Sequence, residues 1–256
     1  MVFLSQERDK AVFCEKPLAG SLAGIDELYE LAKRRGLHLF CAFQRRFDPS
    51  FVDVKKAVGE GRVGTVHVVK SCSRDNPLPP IDFLRTSGGI FHDCAVHDID
   101  IVCWMLGEWP ESVVAVAHTH LASIAELDDS DTVAITMKFP SGVIAVIDLS
   151  RHGVYGYDQR VEVFGTDGMM VADNQRPTSC SISDRQGTLS APFQYTFLQR
   201  YETAYKVELE HFLRVLAGQE TMTVTSETTR MVCRVATACE TSSRQQRLVK
   251  LSEFSS

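Results

Sequence analysis

The apolar positions of the chain fall into two periods that change along its length. Ala11 to Cys14 is a short, wholly apolar run, and the segment after it carries Leu22, Ile25, Leu28 and Leu31 at helical spacing. Ser21 precedes that segment as a candidate N-cap, and Gly36 follows its basic last turn as a candidate C-terminal glycine. "LHLFCAF" is then a second run with no polar face. Strand, helix and strand, with both strands apolar on both sides, predict one βαβ unit of a parallel sheet. From Asp48 onward the pattern shifts. "DPSFVDVKKAVGEG" predicts a capped helix with Pro49 at its first position, "TVHVVKSCSRD" a strand, and "GGIFHDCAVHDIDIVCWMLG" a helix closed by Gly107. "ESVVAVAHTH", "DTVAITMKF", "GVIAVIDLS", "QRVEVFGTDGMMVAD" and "TSCSISD" follow as strands with turn signals between them. Short connections predict a largely antiparallel sheet. Two helices close the chain, the first with Tyr205, Leu209, Phe212, Leu213 and Leu216 as its expected buried stripe.

The composition, 44% hydrophobic and 23% charged over 256 residues, is that of a globular protein with ample material for a core. A net charge of -6 provides no polycationic surface, which argues against nucleic acid and anionic membrane as partners. No apolar run reaches the roughly 20 residues of a membrane-spanning helix. "MVFLSQERDK" lacks the basic start and long apolar stretch of a signal peptide. The eight cysteines lie mostly in apolar runs and form no CxxC pair, so free thiols in a reducing, cytoplasmic setting are expected.

Three stretches carry side chains suited to chemistry. On a helix, Asp93, His97, Asp100 and Trp104 share a stripe, so Asp93 is expected beside His97, where it would orient the imidazole and favour its cationic form. That pair suits general acid–base work, but a satisfied, half-buried histidine is an equal reading; a metal site is the least favoured one. Lys16 stands at the carboxyl end of a parallel strand, where open α/β sheets bind ligands, though a surface lysine would look the same. "FQRRFDPS" brings two arginines to the end of the next strand, as anion or polyol contacts or as surface charge. Tyr155, Tyr157, Asp158 and Arg160 make an unusually aromatic and charged turn.

"VFCEKPLAG", "AFQRRFDPSF", "SRDNPLPP", "SGGIFHDCAVHDIDIVCWMLG" and "YGYDQRVEVFGTDGM" follow one another in the order and spacing of the glucose–fructose oxidoreductase and inositol dehydrogenase family. The chain resembles its inositol 2-dehydrogenase branch from Ala11 to about Leu251. The resemblance implies a Rossmann domain carrying NAD or NADP, followed by an α/β domain with a large, mainly antiparallel open sheet. It implies oxidation of a secondary hydroxyl of a polyol or sugar to a ketone by hydride transfer. By the same resemblance Glu15 and Lys16 lie beside the nicotinamide ribose, Lys16, Asp93 and His97 are catalytic, and His97 accepts the hydroxyl proton. Arg46, Asp75 and Tyr157 are implied substrate contacts, with Tyr155 a near alternative to Tyr157, and Asp100 is a structural support. Homo-oligomerisation through the open sheet is also implied.

A complete member places strands, helices and a glycine-rich phosphate turn before its "EKP" motif. Only ten residues precede Ala11 here, so the expectation is an N-terminally truncated chain. Residues 1–46 are then the late part of a nucleotide-binding domain and residues 47–256 a substrate and oligomerisation domain. Cofactor affinity is expected to be weak without the turn that holds the pyrophosphate. The alternative to an oxidoreductase is a non-catalytic binding or oligomerisation module.

Overall fold

The computed structural model describes residues 8–254. β1 (Val12–Glu15) and β2 (Leu39–Ala42) pair in parallel, and α1 (Leu22–Arg35) crosses between them. The capping signals act as their chemistry dictates: Ser21 Oγ accepts from the amide of Gly24, and Gly36 closes α1 in the left-handed conformation that glycine adopts without a Cβ penalty. A 3₁₀ turn, Gln44–Phe47, leads to α2 (Pro49–Gly59), whose N-cap Asp48 accepts from the amides of Ser50 and Phe51.

The remainder builds a seven-stranded sheet from β3 (Val66–Arg74), β4 (Ser112–His118), β5 (Thr132–Lys138), β6 (Ile144–Ser150), β7 (Asp158–Gly165), β8 (Gly168–Ala172) and the short strand Val249–Lys250 at its edge. From that edge the order is β4, β5, β6, β3, β7, β8, and only β3 and β6 run in parallel. The sheet is therefore mainly antiparallel, as the short connections require. Its strands alternate: Val113, Ala115, Ile135, Met137, Ile147, Leu149, Val161 and Val163 are buried on the inner face, while Val114, Val116, Ile144, Val146, Phe164 and Met169 project outward. The segment from Phe91 opens as a π-helical turn, Phe91–Ala95, and continues as α3 (Val96–Leu106), which is capped by Gly107. α4 (Glu202–Leu216) and α5 (Ser226–Gln245) complete the chain, with a separate hairpin at Ser181–Asp184 and Gly187–Ser190. α5 packs over β4, where Ser242 Oγ accepts from the amide of Ala115 at 3.0 Å.

One expectation changes. α4 does not bury its leucine stripe: Leu209, Leu213 and Leu216 are exposed, and Ala204, Glu208, His211, Phe212 and Val215 face inward. The reason is a ring cluster that fixes the helix rotation, with Phe212 against Phe13 and Phe40 and His211 against Phe47. The dinucleotide spacing GxGxxG does occur once, at Gly59, Gly61 and Gly64. It runs from the end of α2 towards β3, helix to strand, the reverse of the order that aims a helix N-terminus at a pyrophosphate. Gly64 is needed there for φ +70° and for close approach to Thr166 and Asp167. All eight cysteines are free thiols. Among the described residues no cluster of three or more His, Cys, Asp or Glu could hold a metal, and no helix is long and apolar enough to cross a membrane.

Candidate active site

The carboxyl ends of β1, β2, β3 and β6 converge with the π-helical turn, and each strand end delivers one polar residue. β1 ends at Glu15, so Lys16 leaves the sheet beside the end of β2. Its Nζ donates to both the backbone carbonyl and the carboxylate of Asp93, the latter at 3.0 Å. β6 ends at Ser150, and Arg151 follows with its side chain wholly buried. Arg151 Nη1 donates to Asp93 Oδ2 at 2.8 Å, and Nη2 to Asp129 Oδ2 at 3.1 Å. Asp93 thus sits between two cations. Burial alone would push its carboxyl up, but Lys16 and Arg151 more than offset this and hold it below the ordinary range.

His97, one turn further on, is not the partner of Asp93. Both Asp93 oxygens are engaged by the cations, which compete for a carboxylate better than a neutral ring does. His97 Nδ1 is buried without a partner, and the ring meets Phe43 edge-on at 6.2 Å. Burial, and then the charges of Lys16 and Arg45, push the imidazole well below its ordinary value of 6.5. The expectation of a cation stabilised by Asp93 is replaced by a neutral imidazole, able to accept a proton.

Arg46 is not free for a substrate. Its Nε and Nη2 donate to Asp100 at 2.8 and 2.6 Å, Nη1 donates to the carbonyl of Thr223, and the guanidinium lies over Trp104. The bidentate pair absorbs the charge and makes Asp100 the support that the resemblance implied. Arg45 is the arginine that turns towards the site: it donates to Asp98 Oδ1 and Ser73 Oγ, and its charge reaches His97, Asp75 and Tyr157. Asp75, just past β3, is half-buried and accepts from Cys94 Sγ. Burial raises its carboxyl, with Arg45 opposing and Asp93 adding to the rise. Tyr157 is buried edge-on to Tyr201, whereas Tyr155 is exposed and its hydroxyl accepts from Arg74 and donates to Asp158. Glu15 is exposed at the end of β1.

The site therefore gathers Lys16, Asp93, His97, Asp75, Tyr157 and Arg45, and excludes Arg46. Arg151 and Asp129 were missed in the sequence, and Arg45 was one of two arginines put forward there, of which the resemblance favoured Arg46. Arg45 and Arg46 are adjacent, and nothing in a string separates them. Arg151 had a faint signal, a cation one residue past an apolar strand, "VIAVIDLSR".

A lysine held by a carboxylate beside a neutral imidazole can polarise and deprotonate a hydroxyl, but gives no place for the hydrogen's electrons. The residues present fit the reactive end of a nicotinamide nucleotide, because Lys16 stands at the carboxyl end of a parallel strand, where such cofactors lie, and its Nζ is held by Asp93 on the segment that carries His97. Residues 2–43 match the family described as "Oxidoreductase family, NAD-binding Rossmann fold", and residues 51–171 its "GFO/IDH/MocA C-terminal domain". The chain is 40% identical over 254 residues to the myo-inositol 2-dehydrogenase of Thermotoga maritima, covering 99% of this chain and 76% of that one. It is 40% identical over 208 residues to the inositol 2-dehydrogenase of Rhizobium meliloti, covering 81% and 63% respectively. The crystal structure of a myo-inositol dehydrogenase from Corynebacterium glutamicum superposes with a TM-score of 0.90 at 34% identity, over 98% of this chain and 76% of that one. With the site on the sheet ends where that fold places its chemistry, the chain belongs to the GFO/IDH/MocA family of NAD-binding oxidoreductases.

Proposed function

We propose that the protein oxidises a secondary hydroxyl of a cyclitol, myo-inositol or a close relative, to the ketone with NAD. The single observation that carries this reading is the Lys16–Asp93 pair next to a neutral His97, in a chain 40% identical to a myo-inositol 2-dehydrogenase. Glu15 and Lys16 at the end of β1 would hold NAD, which when bound would supply the acceptor for the hydride of the carbinol carbon. Lys16 donates a hydrogen bond to the reacting oxygen, and Asp93 keeps the ammonium aimed. His97 Nδ1 is sealed in, which leaves Nε2 as the ring nitrogen that takes the hydroxyl proton. Asp75 and Tyr157 bind the remaining hydroxyls, and Arg45, tied to Asp98 and Ser73, shapes the floor beneath them. The oxidoreductase is favoured over a non-catalytic module because the side chains for hydride chemistry are assembled, buried and charge-matched.

The outward face of the sheet supports homo-oligomerisation. Phe164 and Met169, paired across β7 and β8, are 45% and 56% exposed, and Val116 on β4 towards the other edge is 67% exposed, so the outer face carries apolar surface of the kind that a second copy covers. Eight free thiols support a reducing, cytoplasmic setting.

The test is NADH formation with myo-inositol, scyllo-inositol and glucose as separate substrates. His97→Ala should slow turnover roughly 10²–10⁴-fold, the usual effect of losing a general base. Turnover unchanged in that variant removes His97 from the mechanism; no NADH from any polyol overturns the proposal.

A further inference from the structure

The guanidinium of Arg151 is fully buried, it touches neither surface nor cavity mouth, and its Nε has no partner. Burying a charge so completely is costly, and apolar replacements of such ion pairs are often neutral or stabilising. Its position shows what it acts on. Nη1 holds the oxygen of Asp93 that Lys16 leaves free, while Nη2 holds Asp129. Asp129 in turn accepts from the amides of Ile90 and Ser130 through Oδ1. Ile90 immediately precedes the π-helical turn that carries Asp93, and Gly88 and Gly89, both at positive φ, precede Ile90. The chain Asp129–Arg151–Asp93–Lys16 therefore alternates in charge from the loop after β4 to the tip of β1.

We propose that Arg151 is a positioning residue that acts on Lys16 through Asp93. This rests on the reading of Lys16 as the group that meets the reacting oxygen. A carboxylate facing one cation grips it fully; a carboxylate shared by two grips each less and stays ionised. Arg151 thereby leaves Lys16 aimed but not locked, with a hydrogen to give to the substrate, and Asp129 sets how much of Arg151 reaches Asp93. The other charged groups facing this chain are Asp75, on the Cys94 side, and Arg45, across His97.

The test needs no turnover. The acylation of Lys16 by acetic anhydride is followed across pH by mass spectrometry of its peptide, in the full chain. Arg151→Met gives Asp93 wholly to Lys16, so the pH midpoint for labelling should rise by about one unit, the usual scale for a nearby opposite charge. Arg151→Lys, which keeps the charge, should restore most of the shift. Asp129→Asn, an isosteric change expected to fold in any case, should move the midpoint the other way, because Arg151 then bears more fully on Asp93. A merely structural arginine would instead loosen the site and raise labelling of Lys16 at every pH. Unmoved midpoints in Arg151→Met and Asp129→Asn, or shifts of the same sign in both, overturn the proposal. Opposed shifts in a chain that forms no NADH would uphold the positioning while refuting the assigned reaction.

Discussion

Glu208 gives the sharpest thermodynamic prediction. It lies on the inward face of α4 with no exposure, and both of its carboxylate oxygens are buried with no ion-pair or side-chain partner, only the backbone of Phe43 opposing the effect of burial. Burial, reinforced by the charge of Glu15, pushes the carboxyl from 4.5 up to about 9. The folded protein therefore holds a proton that the unfolded chain releases above its ordinary value. A raised carboxyl contributes most to stability below pH 4.5, and that contribution is lost steadily as pH rises towards about 9. Between pH 4.5 and about pH 7 the loss is some 2.5 units at about 1.4 kcal/mol each, or about 3 kcal/mol. Full burial means that solvent screening does not reduce this. Glu208→Gln removes the titration and keeps the shape. The amide's own burial is the same at every pH, so it cancels in the comparison. Unfolding in guanidinium, followed by tryptophan fluorescence, should show the stability advantage of the variant growing by about 3 kcal/mol from about pH 4.5 to about pH 7. In thermal melts that corresponds to about 6–12 °C for a chain of this size. Parallel stability curves for the two proteins would show that Glu208 is ionised or solvated in the folded state, and would refute the reasoning.

A neutral His97 predicts that kcat/KM stays flat through pH 6.5, since burial and the charges of Lys16 and Arg45 depress its protonation; an acid limb centred at 6.5 would count against it. Arg46→Ala leaves Asp100 buried and unpaired, so it should cost about 3–5 kcal/mol in stability while leaving KM for the polyol within about twofold. A tenfold rise in KM without destabilisation would return Arg46 to the substrate. Val116→Lys, on the outer face of the sheet, should shift sedimentation towards the monomer, and an unchanged species would remove that face from assembly.

The sequence by itself determined the elements and their order. Capping side chains, the two periods and the turn residues act within a few positions of one another, and α1, α2 and the alternation of β4 to β7 follow from them. Motifs in register along the chain also brought Lys16, Asp93 and His97 forward together as candidates, by resemblance to a family. Tertiary structure decided which charges meet. Arg45 and Arg46 are neighbours in the chain, yet a 3₁₀ turn sends one to Asp98 and the other to Asp100. Asp93 is four residues from His97, yet its carboxylate is held by Lys16 and Arg151, 77 and 58 residues away in the chain. The rotation of α4, which buries Glu208 and exposes Leu209 and Leu213, was set by rings contributed from β1 and β2. Local physics fixes periodicity because its partners are close in sequence. Protonation and pairing depend on burial and on charges from distant segments, and those exist only once the chain has folded.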